Sequence, residues 1–554
     1  MSSQSFRGVQ RITGLLNNNL EVSKKKSLMF WMIAFLVGII SGLAAVSFRW
    51  AISSFQELFY RANEQSLLLE VHTTHWIWFL IIPVLGSLTV GLVLYFFCDE
   101  ERNGSVADVI EGAALNNGRV NSKFGIISTI ISLITLTTGG STGREGPVVH
   151  LAATISTYFS NLTNIQGISA RDLMGCAVAA AVSASFNAPI AGALFALEVV
   201  LRHFAIHAFA PIAISSVAGT IVGRYFYGNV TEFALQKEAN LAFYSELPAF
   251  ILLGIVCGLV AVILVKTIFR IDELFTKAQQ KTNTPIWLRT TFAGLILGVL
   301  ALEFPHIIGV GYETTYKALT GSFDFNTITF LVIIKIAAVV ITMAGRLGGG
   351  IFSPSLMIGA LSGLAFGLIT TSIFPTLSGS ETLYALAGMG AVAASVLGAP
   401  ISTTLIVFEL TGNWQVGLVV MVTVSIATSF SGRLINKSFF LSQLKRRKLN
   451  LISGSKYYLL RNQRVSELPL DRDYNLVNAE FSNEASFIEN RCILFNASLE
   501  TTLKKFDEQN ASYLFVITSV DCTNAGDVTG IVHHLDLLKV FNKALTKVSE
   551  EEHS

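Results

Sequence analysis

Apolar and polar positions in this chain alternate in long blocks rather than short periods. A polar, basic opening gives way to a nearly unbroken apolar run from Ser27 to Val46. Further apolar stretches occupy 75–97, 124–138, 147–160, 173–200, 204–226, 246–268, 287–303, 328–344, 354–375, 383–411 and 415–431. A run of about 20 apolar residues spans the hydrocarbon core of a bilayer as a helix. The first run lacks the short apolar core and small-residue cleavage site of a signal peptide, so it reads as a retained membrane helix. Several later stretches are too short to cross alone, and several carry Gly or Pro in mid-segment. Past about Leu444 polar residues return. There the spacing of Leu499, Leu503 and Phe506 predicts a helix over Ser498–Asn510. Strands are predicted at Tyr513–Ile517 and Thr529–Val532, then a helix with Leu535, Leu537 and Leu538.

Three regions follow: a cytosolic segment 1–27, a membrane region 28–445 and a small α/β domain at 450–554. The predicted fold class is an all-α polytopic membrane protein of broken and tilted helices with that small domain appended. Composition agrees. Of 554 residues, 52% are hydrophobic and 14% charged, against about 25% charged in soluble domains. A net charge of +2 gives no basic face for nucleic acid. Cys98, Cys176, Cys257, Cys492 and Cys522 have no metal or redox spacing. His203, His207, His533 and His534 read as surface or packing residues. No metal site is expected. Basic residues before the first span, and Lys445-Arg446-Arg447-Lys448 after the last, place both termini in the cytosol.

The membrane region repeats itself. Residues 188–198 read APIAGALFALE and 399–409 read APISTTLIVFE, each with a Glu nine positions after the Pro. Pro147 and Pro354 precede them at nearly equal distances, giving a repeat of about 210 residues with halves near 28–226 and 246–431. Chance likeness of apolar segments is the alternative. Interrupted segments in matching positions of two halves mark a binding site built from broken helices.

Gly104-Ser105, Gly143-Arg144-Glu145-Gly146-Pro147 and Gly350-Ile351-Phe352-Ser353-Pro354 each precede a helix-capable run. Pro147 and Pro354 suit a first helical turn. Helix N-termini offer free N–H groups and a favourable dipole to an anion. Several of them aimed at one point bind a halide without a full fixed charge, so the ion can also leave. Ser105 adds a hydroxyl donor, or serves as an N-cap. Glu145 is a carboxylate where anions are favoured, and so a candidate tethered gate. Its alternative is a loop carboxylate paired with Arg144.

On GREGP at 143–147, GIFSP at 350–354 and a partial first motif GSVAD at 104–108, the chain resembles the CLC family of chloride channels and proton/chloride exchangers. The resemblance covers about residues 25–445. It implies inverted repeats, a homodimer and one anion pore per subunit. It implies that Ser105 and the backbone of Ile351 and Phe352 hold the central anion, and that Glu145 is the external gate and proton acceptor. It places Phe440 where the family usually has a Tyr donating to the anion. Val199 stands where exchangers usually carry an inner proton glutamate, directly after Glu198. Val106 and Asp108 replace the family's Gly and Pro. The tail resembles a CBS module on SLETTLKKFDEQNASYLFVI and GDVTGIVHHLDLL, with RVSELPL at 464–470 as a lead-in. Such modules bind adenine nucleotides or act as dimer contacts; no other cofactor is expected.

The expected function is chloride transport by a multi-pass protein of the cell (inner) membrane, as a proton/chloride exchanger. The alternative is a passive gated channel, which Val199 favours. A membrane receptor or enzyme acting through its tail is the remote alternative, since the tail offers no nucleophile constellation, phosphate loop or metal cluster.

Overall fold

The computed structural model describes the chain apart from residues 1–2, 62–74, 99–100, 166, 205, 229–242, 376–377, 413, 436, 450–459, 461–462, 472–490, 519–527 and 554. The first half contains α1 (Ser3–Tyr60), α2 (Trp76–Phe97), α3 (Val106–Leu115), α4 (Ser122–Thr137), α5 (Glu145–Leu162) and α6 (Ile168–Phe186). It continues with α7 (Pro189–Phe195), which runs into a π turn at Ala196–Leu201, and α8 (Ile206–Tyr227). The second half contains α9 (Phe243–Thr282), α10 (Ile286–Glu303), α11 (Tyr312–Leu319), α12 (Phe325–Ala344) and α13 (Phe352–Ile373). It ends with α14 (Glu381–Leu397), α15 (Pro400–Thr411), α16 (Trp414–Ile435) and α17 (Phe439–Arg446). Among the described residues, eight helices are long and apolar enough to cross a membrane, whereas α4, α7 with its π turn, α14 and α15 are shorter. The first span is longer than its apolar run suggested, because α1 continues to Tyr60.

The two halves lock through the elements that the repeat identified. Asn187 and Gly398 both take left-handed backbone (φ 56° and 70°) and stop α6 and α14. An Ala-Pro pair then starts α7 and α15, with Pro at a position whose N–H no helix would use. Each repeat's glutamate caps the other repeat's short helix. Glu198 accepts from the N–H of Ile401 and Ser402 at 3.0 and 2.7 Å, and from the Ser402 hydroxyl at 2.8 Å. Glu409 accepts from the N–H of Ile190 and Ala191 at 3.0 and 2.8 Å. Charge-assisted bonds to exposed helix N–H groups are among the stronger ones in proteins. The paired glutamates thus tie the two repeats to each other.

Small residues govern the remaining packing, as expected where apolar surroundings give no hydrophobic drive between helices. A Cβ on Gly359 of α13 would lie 2.4 Å from the Gly388 carbonyl of α14, so that crossing admits backbone only. Large apolar side chains such as Trp50, Phe96 and Phe330 point outward, at 67%, 69% and 61% exposure. This is the inside-out distribution of a lipid-facing surface.

The tail folds as a three-stranded sheet in order β1 (Cys492–Leu494), β2 (Tyr513–Ile517), β3 (Val528–His533). β1 pairs parallel with β2, and β2 antiparallel with β3. Helix α18 (Leu499–Gln509) lies between β1 and β2, and α19 (His534–His553) follows β3. The RVSELPL lead-in joins this unit: the Val465 N–H donates to Ala497 and the Leu499 N–H to Gln463. The short strand β1 is an addition to the sequence reading. Cys522 lies outside the described residues.

Candidate functional site

The GREGP and GIFSP segments meet backbone to backbone. Gly143 and Gly350 exchange two N–H···O bonds of 2.7 Å, and the Thr142 hydroxyl donates to the Gly350 carbonyl at 2.8 Å. A Cβ on Gly146 would lie 2.9 Å from the Gly350 Cα, so glycine is required for the segments to touch. Side chains brace the backs of both: the Thr342 hydroxyl accepts from the Ser141 N–H at 3.1 Å and the Thr135 hydroxyl from the Gly348 N–H at 3.0 Å. From this junction α5 and α13 depart, with Pro147 and Pro354 each third in its helix. The free N–H groups of both first turns are thereby gathered at one place.

Glu145 is the first residue of α5 and only 4% exposed. Its Oε1 accepts from the Tyr312 hydroxyl at 3.1 Å and from the Ser353 hydroxyl, and those two hydroxyls lie 3.3 Å apart. Its Oε2 rests against Gly143. Arg144 turns to other partners: one guanidinium N–H reaches the Ser185 carbonyl at 3.4 Å, and its carbon sits 4.8 Å from the Tyr312 ring centre. The carboxylate is therefore held at the filter by neutral donors. Tyr312 had no signal in the sequence; it opens α11, 167 positions from its acceptor.

Beneath the junction lies a cavity of about 290 Å³. Ser105, Gly146, Gly350, Ile351 and Phe440 all line it, so the three motifs and the last helix converge on one space. Arg102, Arg346, Arg446 and Arg447 line it too, against one carboxylate, Asp272. Asp272 ties three elements together, meeting Arg289 at 2.9 Å, Arg346 at 3.2 Å and Arg446 at 4.0 Å. Arg102 and Arg447 are also paired with Asp108, at the cavity's edge, so the wall keeps a smaller net positive charge, of the sign that favours anions. Phe352 departs from this group: its ring packs edge-on against Phe186 and Phe195, at 5.1 and 6.5 Å between centres.

The Asp108 departure in the first motif has a local reason. Asp108 closes a capping box at the start of α3, accepting from the Ser105 N–H at 2.7 Å and the Ser105 hydroxyl at 3.2 Å. One Asp108 oxygen also meets Arg102 and Arg447, both at 2.7 Å. The family's Pro would carry none of this. The Ser105 hydroxyl lies 3.2 Å from the Gln443 side-chain oxygen as well, a partner on α17 that sequence reasoning missed. Gly104 donates its N–H to the Ser128 hydroxyl at 2.9 Å.

Val199 is buried on the π turn and lines a second cavity of about 260 Å³ together with Glu198, Arg202 and Phe440. Phe440 thus borders both cavities. Glu198 is already occupied with capping α15.

Broken helices whose first turns converge on a buried, basic-lined space define a membrane protein built to handle anions. The family model described as voltage gated chloride channel matches residues 85–432, and the chain belongs to this CLC family, which consists of channels and transporters rather than enzymes. It is 30% identical over 419 residues to the H(+)/Cl(-) exchange transporter ClcA of Yersinia pestis, covering 74% of this chain and 86% of that one. It is 28% identical over 452 residues to ClcA of Cronobacter sakazakii, covering 80% and 94%. Among solved structures, a slow cyanobacterial Cl-/H+ antiporter superposes with a TM-score of 0.67 at 21% identity, over 76% of this chain and 97% of that one. A eukaryotic CLC transporter superposes with a TM-score of 0.65 at 17% identity, over 92% and 98%.

Proposed function

We propose that this protein exchanges chloride for protons across the membrane, with Glu145 as the movable gate. The observation that carries the reading is the seat of the Glu145 carboxylate. It occupies the meeting point of two helix N-termini, on neutral donors, above a cavity rich in arginine. A carboxylate there competes with chloride for one place. Displaced by chloride or neutralised by a proton, it opens the path, which couples the two ions. Ser105, with Ile351 and the Phe352 backbone, forms the central anion site, and Phe440 supplies an apolar wall in place of a donor. The chain's similarity to the H(+)/Cl(-) exchange transporters ClcA supports exchange.

The basic cavity faces the cytosol in this reading, since the Lys445–Lys448 run closes it, and both termini share that side. Two copies pair through the region of α7 and α15, which pack together and leave Ile190 and Ile401 at 54% and 48% exposure. The tail acts as a CBS-like contact module. What supports that assignment is the helix between two paired strands, followed by a third strand and a helix, that the tail forms.

A passive channel is the second reading, favoured by Val199 at the position of the inner proton acid. The test uses purified protein in liposomes, with chloride and proton movement followed together for the parent, Glu145→Gln and Glu145→Ala. The exchange reading expects both variants to pass chloride and lose coupled protons. Variants that match the parent in both fluxes sink the gate assignment.

A further inference from the structure

The basic cavity holds a donor besides Ser105 and the start of α13. Gln443 lines it together with Ser105, Gly350, Ile351 and Phe440. It stands three residues after Phe440 on α17, so the two share a helix face. Phe440 brings no hydrogen-bonding group to that face, whereas Gln443 brings a carboxamide. The carboxamide oxygen lies 3.2 Å from the Ser105 hydroxyl, and the Asp108 carboxylate lies at the same distance from that hydroxyl. The amide nitrogen donates to no group among the described residues. Nor is it one of the buried side-chain atoms that water cannot reach. Gln443 thus carries unengaged N–H groups at the cavity wall, beside Ser105.

Counting protons makes this robust. The Ser105 hydroxyl has one proton and two acceptors in reach, so one of them goes unserved. The charged Asp108 is the stronger acceptor. A half-turn of the carboxamide then lets its nitrogen donate to the Ser105 oxygen, and one N–H is still left over. With the oxygen toward Ser105, both N–H groups are left over. A free donor therefore exists beside Ser105 in either rotation. The neighbouring cations differ, because each is engaged with a carboxylate. Arg102 and Arg447 meet Asp108 at 2.7 Å, and Arg446 meets Asp272 and Glu273 at 4.0 and 3.7 Å. A neutral donor holds an anion less firmly than a fixed charge does, and conduction requires that the ion also leave.

We propose that Gln443 is a ligand of the central anion, donating a carboxamide N–H to the same halide that takes the Ser105 hydroxyl and the backbone N–H of Ile351. When the ion arrives, the Ser105 proton turns from its oxygen acceptor to the halide. The Gln443 nitrogen then serves the Ser105 oxygen with one N–H and the ion with the other. No covalent bond changes; hydrogen bonds within the wall are exchanged for hydrogen bonds to the ion. The inference rests on the central anion site proposed above and adds a residue to it.

The test measures chloride binding by calorimetry on the full-length protein in detergent, for the parent, Gln443→Leu, Ser105→Ala and the double variant. Leu is close to Gln in size and carries no donor. The expected result is a loss of about tenfold in chloride affinity for Gln443→Leu, in keeping with one hydrogen bond to a charged group. The double variant should bind several-fold more weakly than Ser105→Ala. A Gln443 that merely positions Ser105 predicts no further loss once Ser105 is Ala, and that result overturns the proposal. So does a Gln443→Leu protein with the parent's affinity. A Ser105→Ala protein that binds no chloride also overturns it, since Ile351 and Gln443 together should still hold the ion weakly. Should Gln443→Leu fail to fold, Gln443→Glu takes its place in both backgrounds, with the same shape and an oxygen where the N–H groups stood. A parent that binds no chloride refutes the central site and Gln443 with it, whereas a parent that binds beside an unaffected Gln443→Leu refutes only Gln443.

Discussion

Replacing Tyr312 with Phe removes one hydroxyl from the contact that seats Glu145 and leaves the ring, with Arg144 beside it, in place. That hydroxyl donates at 3.1 Å to Oε1, which the Ser353 hydroxyl also serves. A hydrogen bond to a charged acceptor contributes about 1.5–3 kcal/mol net. Ser353 remains on the same oxygen, so the lower end, about 1.5 kcal/mol, is the appropriate figure. At about 1.4 kcal/mol per decade, the fraction of molecules with the carboxylate out of its seat rises about tenfold. The assay is chloride efflux from liposomes at low external chloride, where competition with Glu145 limits entry. Tyr312→Phe should raise the initial rate, up to the ceiling set by the open pathway. Ser353→Ala should act in the same direction. The pair should be non-additive, because the two hydroxyls also lie 3.3 Å apart and share an acceptor. Single variants with the parent's rate and the parent's response to external chloride would refute the idea that these hydroxyls hold the gate.

Asp108→Ala removes both the capping box and the shared partner of Arg102 and Arg447; a loss of about 1–2 kcal/mol is expected from the cap alone, read as earlier thermal unfolding in detergent, and an unchanged melt would contradict the cluster's role. Glu198→Gln should destabilise the protein more than Glu409→Gln, because Glu198 also accepts from the Ser402 hydroxyl; melting temperatures of both variants equal to the parent's would count against reciprocal capping. Phe440→Tyr should tighten chloride binding by about 1 kcal/mol, roughly fivefold, measured by calorimetry. Unchanged affinity would mean that this ring does not face the ion.

The features legible in the sequence are those that need a particular residue at a particular backbone position. Pro147 and Pro354 announced helix starts because proline fits few other places in a membrane segment, whereas Pro189 and Pro400 announced the repeat and only the structure shows that they too start helices. Glu198 and Glu409 announced a repeat, although only the structure shows that each serves the opposite half. The tail's α18, β2 and β3 followed from periodicity, while β1, three residues long, offers too little pattern to be seen. Side-chain partners across long separations stayed hidden. Nothing in GYETT marks Tyr312 as the donor to Glu145, and nothing in SFFLSQLKR marks Gln443 as a neighbour of Ser105. Asp108 looked like a defect in a motif, because one of its two arginines, Arg447, arrives from 339 positions further along the chain. Lys335 is another such case. It lies fully buried within an apolar run of α12, donating to the carbonyls of Ile307 and Gly309 just ahead of Tyr312.

Proton movement driven by chloride alone is the most direct test of the account. Liposomes containing the parent protein are given an outward chloride gradient, with the membrane potential clamped by a potassium ionophore and no initial pH difference. The account predicts proton uptake against the gradient that then builds up, absent in Glu145→Gln vesicles that still release chloride. Chloride release from parent vesicles with no proton movement would contradict exchange and leave Glu145 as the gate of a passive channel.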